Sequence, residues 1–109
     1  MALEGIVQCI VFPDKATVWV LALIYDEDNA LADPTAVKVS ITDPDGETQV
    51  DEASMTQYET TTGIYEYYYH KGVASTAMAA GEWRGEVSTI DGSGETAVIS
   101  VQPFSFKVR

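Results

Sequence analysis

The stretch GIYEYYYHK, residues 63–71, decides the fold, because it places four tyrosines and the chain's only histidine within nine positions. Read with a period of two, Tyr65, Tyr67 and Tyr69 share one side, and Ile64, Glu66, Tyr68 and His70 share the other. Glu66 marks that second side as the wet one, so three tyrosines are expected inside and Tyr68 outside. The run GEWRGEVST, residues 81–89, repeats the pattern: Trp83, Val87 and Thr89 alternate with Glu82, Arg84, Glu86 and Ser88. Gly85 falls on the inner side between Trp83 and Val87, where its missing side chain leaves room for a bulky ring from an opposite sheet, with Tyr67 or Tyr65 the expected filler. Val37, Val39 and Ile41 alternate with Lys38, Ser40 and Thr42 in the same manner. Strands with one dry and one wet face call for an all-β sandwich of two antiparallel sheets.

Seven strands are expected, at about 5–12, 16–25, 36–42, 47–55, 63–70, 82–90 and 96–108, separated by Asp, Asn, Gly and Pro clusters. TDPDG at 42–46 and IDGSG at 90–94 supply the proline φ and the positive-φ glycines of tight turns. ASTAMAA at 74–80 is too short for more than a helical turn. The strand at 16–25 breaks the alternation: Val18, Val20, Ala22 and Ile24 are apolar, and so are Trp19, Leu21, Leu23 and Tyr25. Its second face is covered either by the N-terminal segment or by another subunit. In VQPFSFKVR, residues 101–109, Phe104, Phe106 and Val108 alternate, and Pro103 marks a bulge or a change of partner.

At 109 residues the chain fits one domain, and 46% hydrophobic residues suffice for one core. Six Lys and Arg against 17 Asp and Glu give a net charge of −11, which repels nucleic acid and anionic lipid, so neither nucleic acid nor membrane is an expected partner. Ten acids between Asp26 and Glu59 face a single base, Lys38. Cys9 is the only cysteine, so no internal disulfide staples the fold. Glu4 stands where a signal peptide carries positive charge, and the longest apolar run, VWVLALIY at 18–25, is far short of a membrane helix. Synthesis in the cytoplasm without an export signal, in soluble form, is the expectation.

Taken in order, YDEDNALADPTAVKVSITDPDGE, TGIYEYYY, AGEWRGEVSTIDGSGETA and FSFKV resemble the immunoglobulin-like β-sandwich modules of bacterial surface and bacteriophage virion proteins, and the macroglobulin-type domains look similar. The matching features span residues 16–108: an acidic turn after a valine-rich strand, the DPDG turn, Gly63-x-Tyr65 opening one strand and Gly81-x-Trp83 opening another. The resemblance implies Greek-key connectivity, a noncatalytic role as spacer, decoration or binding module, and a setting such as an accessory component of a phage-type particle or a cell surface. Antibody domains differ in having a cysteine pair around the core tryptophan, which this chain lacks.

No catalytic residues are expected. His70 lies at a strand end on the wet face without a neighbouring nucleophile, and Cys9 reads as a small buried hydrophobe. If the later strands alternate in direction, the loops at 26–35, 56–62 and 91–95 share one end, and Asp26, Asp28, Asn29, Glu59 and Asp91 form a candidate calcium set. DEDN lacks the glycine and terminal glutamate of an EF-hand loop, so solvated turn acids are the competing reading. Trp19, Tyr25, Tyr68 and His70 are the candidate interface, for a protein partner or a second copy. Tyr68, beside Glu66 and after Thr60–Thr62, also suits a sugar, which makes a carbohydrate-binding or calcium-dependent adhesion module the alternative.

Overall fold

Strand β2, Thr17–Tyr25, runs through the middle of the molecule, and Val18, Val20, Ala22 and Ile24 on one of its faces are fully buried. The structure is a computed structural model that describes residues 4–12, 17–26, 28–70, 80–92 and 98–108, with side chains described for all of these except 4–12, 17, 70, 98 and 108. The other strands are β1 (Glu4–Phe12), β3 (Ala36–Thr42), β4 (Thr48–Ser54), β5 (Thr56–Gln57), β6 (Ile64–His70), β7 (Gly81–Asp91) and β8 (Val98–Val108). A short 3₁₀ turn, Tyr58–Thr60, follows β5. ASTAMAA lies almost wholly outside the described residues.

Two antiparallel sheets face each other, ordered β1-β2-β6-β5 and β4-β3-β7-β8. The chain passes from the first sheet to the second after β2, returns after β4, and passes again after β6, while β3–β4 and β7–β8 are hairpins. That connectivity is the immunoglobulin-like Greek key. Strands β1 and β8, the outermost of their sheets, run close to each other and close one side of the sandwich.

Val37, Val39, Ile41, Val87 and Trp83 of the second sheet meet β2 and Tyr69 of the first, and all are buried. Tyr65 and Tyr67 pack against this core while remaining partly exposed. The Trp83 ring, 1% exposed, stacks on Phe106 at 5.9 Å and reaches Tyr69 across the sandwich at 6.1 Å. Phe104 extends the row, 6.4 Å from Phe106.

Three readings of the sequence are revised. The space at Gly85 is filled by Phe104, its register partner on β8 in the same sheet, and not by Tyr65 or Tyr67 from the opposite one. A Cβ built on Gly85 would stand 2.3 Å from Phe104 Cζ and 2.7 Å from the Ser40 carbonyl, so the ring lies over the bare backbone of its neighbour. The strand expected at about 47–55 is β4, and directly after it the chain adds a short strand, β5, in the other sheet, which was not expected. Met55, 6% exposed, donates its N–H to the Val37 carbonyl at 2.9 Å before the chain crosses to β5. The N-terminal segment pairs edge to edge with β2, from Glu4↔Tyr25 to Phe12↔Thr17, and so extends the sheet sideways where a cover over its second face was one expectation.

The free edge at β4 is blunted. Two residues, Asp51 and Glu52, oppose Ser40, a bulge in which Glu52 takes φ 48° and donates its N–H to Ser40 Oγ at 3.0 Å. Charge and bulge together deny a neighbouring strand a flat template.

Replacing Gly85 by alanine is expected to cost about 1–3 kcal/mol, the range of core overpacking. In a double-mutant cycle with Phe104→Ala the two losses should be less than additive, because removing the ring removes the closer of the two clashes. Denaturant melts of the four proteins would check this, and strict additivity would contradict the packing described.

Candidate functional site

The outer face of the first sheet is the second apolar face of β2. Trp19, Leu21, Leu23 and Tyr25 project there, and each is half-buried. Antiparallel register sets Trp19 directly opposite Tyr68 on β6, Leu21 opposite Glu66 and Leu23 opposite Ile64. The Trp19 and Tyr68 rings stack at 5.9 Å with their planes 15° apart. Tyr58, in the 3₁₀ turn, tilts against Trp19 at 6.1 Å. Trp19 Nε1–H donates to Glu66 Oε1 at 3.0 Å. One carboxylate therefore sets the indole's orientation and satisfies its polar edge, while Tyr68 stacks on the indole and Tyr58 lies tilted beside it. Tyr68 is the most exposed of the three rings, at 49%.

Of the candidate interface, Trp19 and Tyr68 are thus in contact with each other, whereas Tyr25 sits at the far end of β2. His70 pairs opposite Thr17 in the backbone register, and its side chain lies outside the described residues, as does that of Cys9. Tyr58 was not foreseen. Its proximity to Trp19 depends on how the chain crosses between sheets, and no local pattern in QYETTTG encodes that crossing.

The proposed calcium residues are not assembled. Among the described residues no group of three or more His, Cys, Asp or Glu side chains gathers as a metal site. Asp26 instead builds its own loop: Oδ1 accepts the N–H groups of Asp28 (2.8 Å) and Ala30 (3.2 Å), and its carbonyl accepts Asn29 N–H at 3.0 Å. Asn29 takes φ 62°, a conformation asparagine tolerates better than most residues. The DPDG turn is the same device. Asp43 Oδ1 accepts Asp45 N–H (3.0 Å) and Glu47 N–H (2.9 Å), the Asp43 carbonyl accepts Gly46 N–H (3.0 Å), and Gly46 takes φ 88°. In both loops the first aspartate folds the chain around its side chain. Glu59, at φ 47° in the 3₁₀ turn, is exposed, and Asp91 ends β7 beside Gly92, whose N–H reaches Thr35 Oγ1 at 2.9 Å.

The acid that ties this end of the molecule together is Asp33, which the sequence reading passed over. Its Oδ1 accepts Gly63 N–H at 2.7 Å, Gln57 Nε2–H at 3.1 Å and the Tyr65 hydroxyl at 3.2 Å. Gly63 takes φ 78°, and a Cβ there would lie 2.8 Å from Leu31 Cβ and 2.9 Å from the Ala32 nitrogen. The Gly63-x-Tyr65 motif is therefore one half of a clamp whose other half is the Asp33-Pro34 step after β2. Burial, and next the Asp33 carboxylate, push the Tyr65 hydroxyl pKa above its ordinary 10.0. Burial, then Tyr67 and Asp43, push Tyr69 up in the same direction.

No protein-family model and no curated protein sequence matches the chain. Its fold is similar to part of a DUF4785 family protein from Legionella pneumophila, with a TM-score of 0.62 and 12% identity, covering 97% of this chain and 28% of that one. The chain thus spans a little over a quarter of the protein it resembles. That likeness is one of fold.

Two outcomes follow. Asp26→Asn, which keeps the accepting oxygen, should leave stability within about 0.5 kcal/mol, while Asp26→Ala loses about 1 kcal/mol; equal losses for Asn and Ala in thermal melts would contradict the turn-building role. For the tyrosines, a folded-state pKa above the unfolded value means stability that is complete below pH 10.0 and is lost as pH rises through the raised values. The melting temperature should therefore fall above about pH 10, and Tyr65→Phe should flatten that fall even while it lowers the value at neutral pH. An unchanged alkaline slope would place the titration elsewhere.

Proposed function

We propose that the chain is a noncatalytic immunoglobulin-like module that works by protein contact, and that the outer aromatic face of the first sheet is its contact surface. The observation that carries this reading is the Trp19–Tyr68–Tyr58 cluster, in which Glu66 accepts the Trp19 indole N–H and Trp19 and Tyr68 stand on paired strands. Aromatic anchors held in one geometry lose little conformational freedom on binding, which is why such residues dominate protein interfaces. A protein contact suits the arrangement better than a sugar. Trp19 is stacked on Tyr68, has Tyr58 tilted beside it and is half-buried, whereas a stacked sugar requires a broad open ring face.

The setting we propose is a building block of a larger assembly, either as one unit of a multidomain chain or as an accessory component of a phage-type particle. Support for the modular part comes from the likeness to 28% of a longer chain. Support for the particle setting is the resemblance of the turn and strand motifs to virion modules.

A photoreactive phenylalanine placed at position 68, in the cells that make the protein, tests the reading. One discrete protein adduct is expected, absent when the probe sits at exposed Thr61 on the loop. Adducts at neither position, or equally at both, would overturn it, and a glycan that shifts the melting temperature of the parent but not of Tyr68→Ala would move the site to the carbohydrate alternative.

A further inference from the structure

The second sheet has an outer face of different character. Ile99 and Val101 on β8 are the most exposed large apolar side chains among the described residues, at 65% and 53%. Register places Ile99 beside Ile90 of β7, which lies beside Ala36 of β3, and places Val101 in the next row with Ser88 and Lys38. An apolar patch thus occupies one half of the face. The other half is charged: Arg84 pairs through Nε with Glu82 at 3.3 Å, and Glu86 and Lys107 stand on the same side.

Lys38, Arg84 and Lys107 are the bases among the described residues, and all three lie on this face. The outer face of the first sheet offers Glu66 and, among its described side chains, no base. In a molecule of net charge −11 two copies repel one another over most approaches. Among the described residues, the outer face of the second sheet is an approach at which that repulsion is locally offset, because Lys38, Arg84 and Lys107 stand there among Glu82, Glu86 and Asp51, and an apolar patch adjoins them. We infer that a second copy of this chain docks here, through a two-fold contact of the β4-β3-β7-β8 sheet with its own counterpart.

The relief of the face suits a two-fold. Arg84, whose side chain is 79% exposed, itself lines an open hollow of about 540 Å³ with Glu82, Glu86, Pro103 and Ser105. Arg84 pairs there with Glu82, and under a two-fold operator each Arg84 can reach Glu86 of the other copy, while the Ile99–Val101 patches come together along the same contact. Four strands about 4.8 Å apart and seven or more residues long present roughly 500 Å² per copy. Two such faces together reach roughly 1,000 Å², the lower end of specific interfaces, so the dimer should be weak. This self-contact is independent of the aromatic face, and the two are separable by mutation.

Sedimentation velocity of the purified chain, from roughly micromolar to near-millimolar concentration, tests it. The parent should pass from monomer to dimer across that range. Val101→Lys and Arg84→Glu should each stay monomeric throughout with unchanged circular dichroism, while Tyr68→Ala dimerises like the parent. Mixing Arg84→Glu with Glu86→Arg should restore a mixed dimer. A parent that remains monomeric over the whole range overturns the inference. So does a dimer that survives both face variants and is dissolved by Tyr68→Ala, which would transfer self-association to the aromatic face.

Discussion

The packing of Trp83 between the two sheets is the contact on which the rest of the structure depends. In a sandwich without a disulfide, something must hold the layers in register, and here an indole stacked on Phe106 and touching Tyr69 across the core does so. Burial of an aromatic of this size contributes about 5 kcal/mol. That is comparable to the roughly 2–4 kcal/mol of a typical disulfide. The same packing constrains β8: once Phe106 is committed to Trp83, Phe104 falls opposite Gly85, and only a glycine there leaves space for its ring.

The acidic loops have a common explanation. DEDNA and DPDGE fold around the carboxylate of their first aspartate with nearly the same hydrogen bonds, and Asp33 clamps the start of β6 to the loop that follows β2. These carboxylates substitute for backbone partners that the turns cannot supply. Three of the ten acids between Asp26 and Glu59, namely Asp26, Asp33 and Asp43, are therefore turn chemistry.

The two outer faces then divide the molecule's exterior. One carries aromatic rings locked by a carboxylate, with no base among its described side chains. The other carries exposed β-branched residues and the described cations. Among the described residues the two outer faces thus differ in chemistry, and the strand order alone keeps them on opposite sides. Among the described residues no helix is long and apolar enough to cross a membrane.

Period-two alternation in IYEYYYH, AVKVSIT and GEWRGEVST was enough to place the strands and their inner residues, because a pleated strand assigns side chains to faces by parity alone, and the Asp, Gly and Pro clusters marked the turns by local conformational preference. The Gly63-x-Tyr65 motif was legible as a strand opening but not as a clamp, since its partner, Asp33, lies thirty positions away from Gly63 and forms the contact only after the sheets assemble. The same holds for Tyr58 against Trp19, for Phe104 over Gly85, and for the gathering of Lys38, Arg84 and Lys107 on one face. Parity says which side of its own strand a residue occupies. Which strands lie next to each other, and hence which side chains meet, is set by long-range pairing and by the shape of the closed core, and that was decided by the tertiary structure alone.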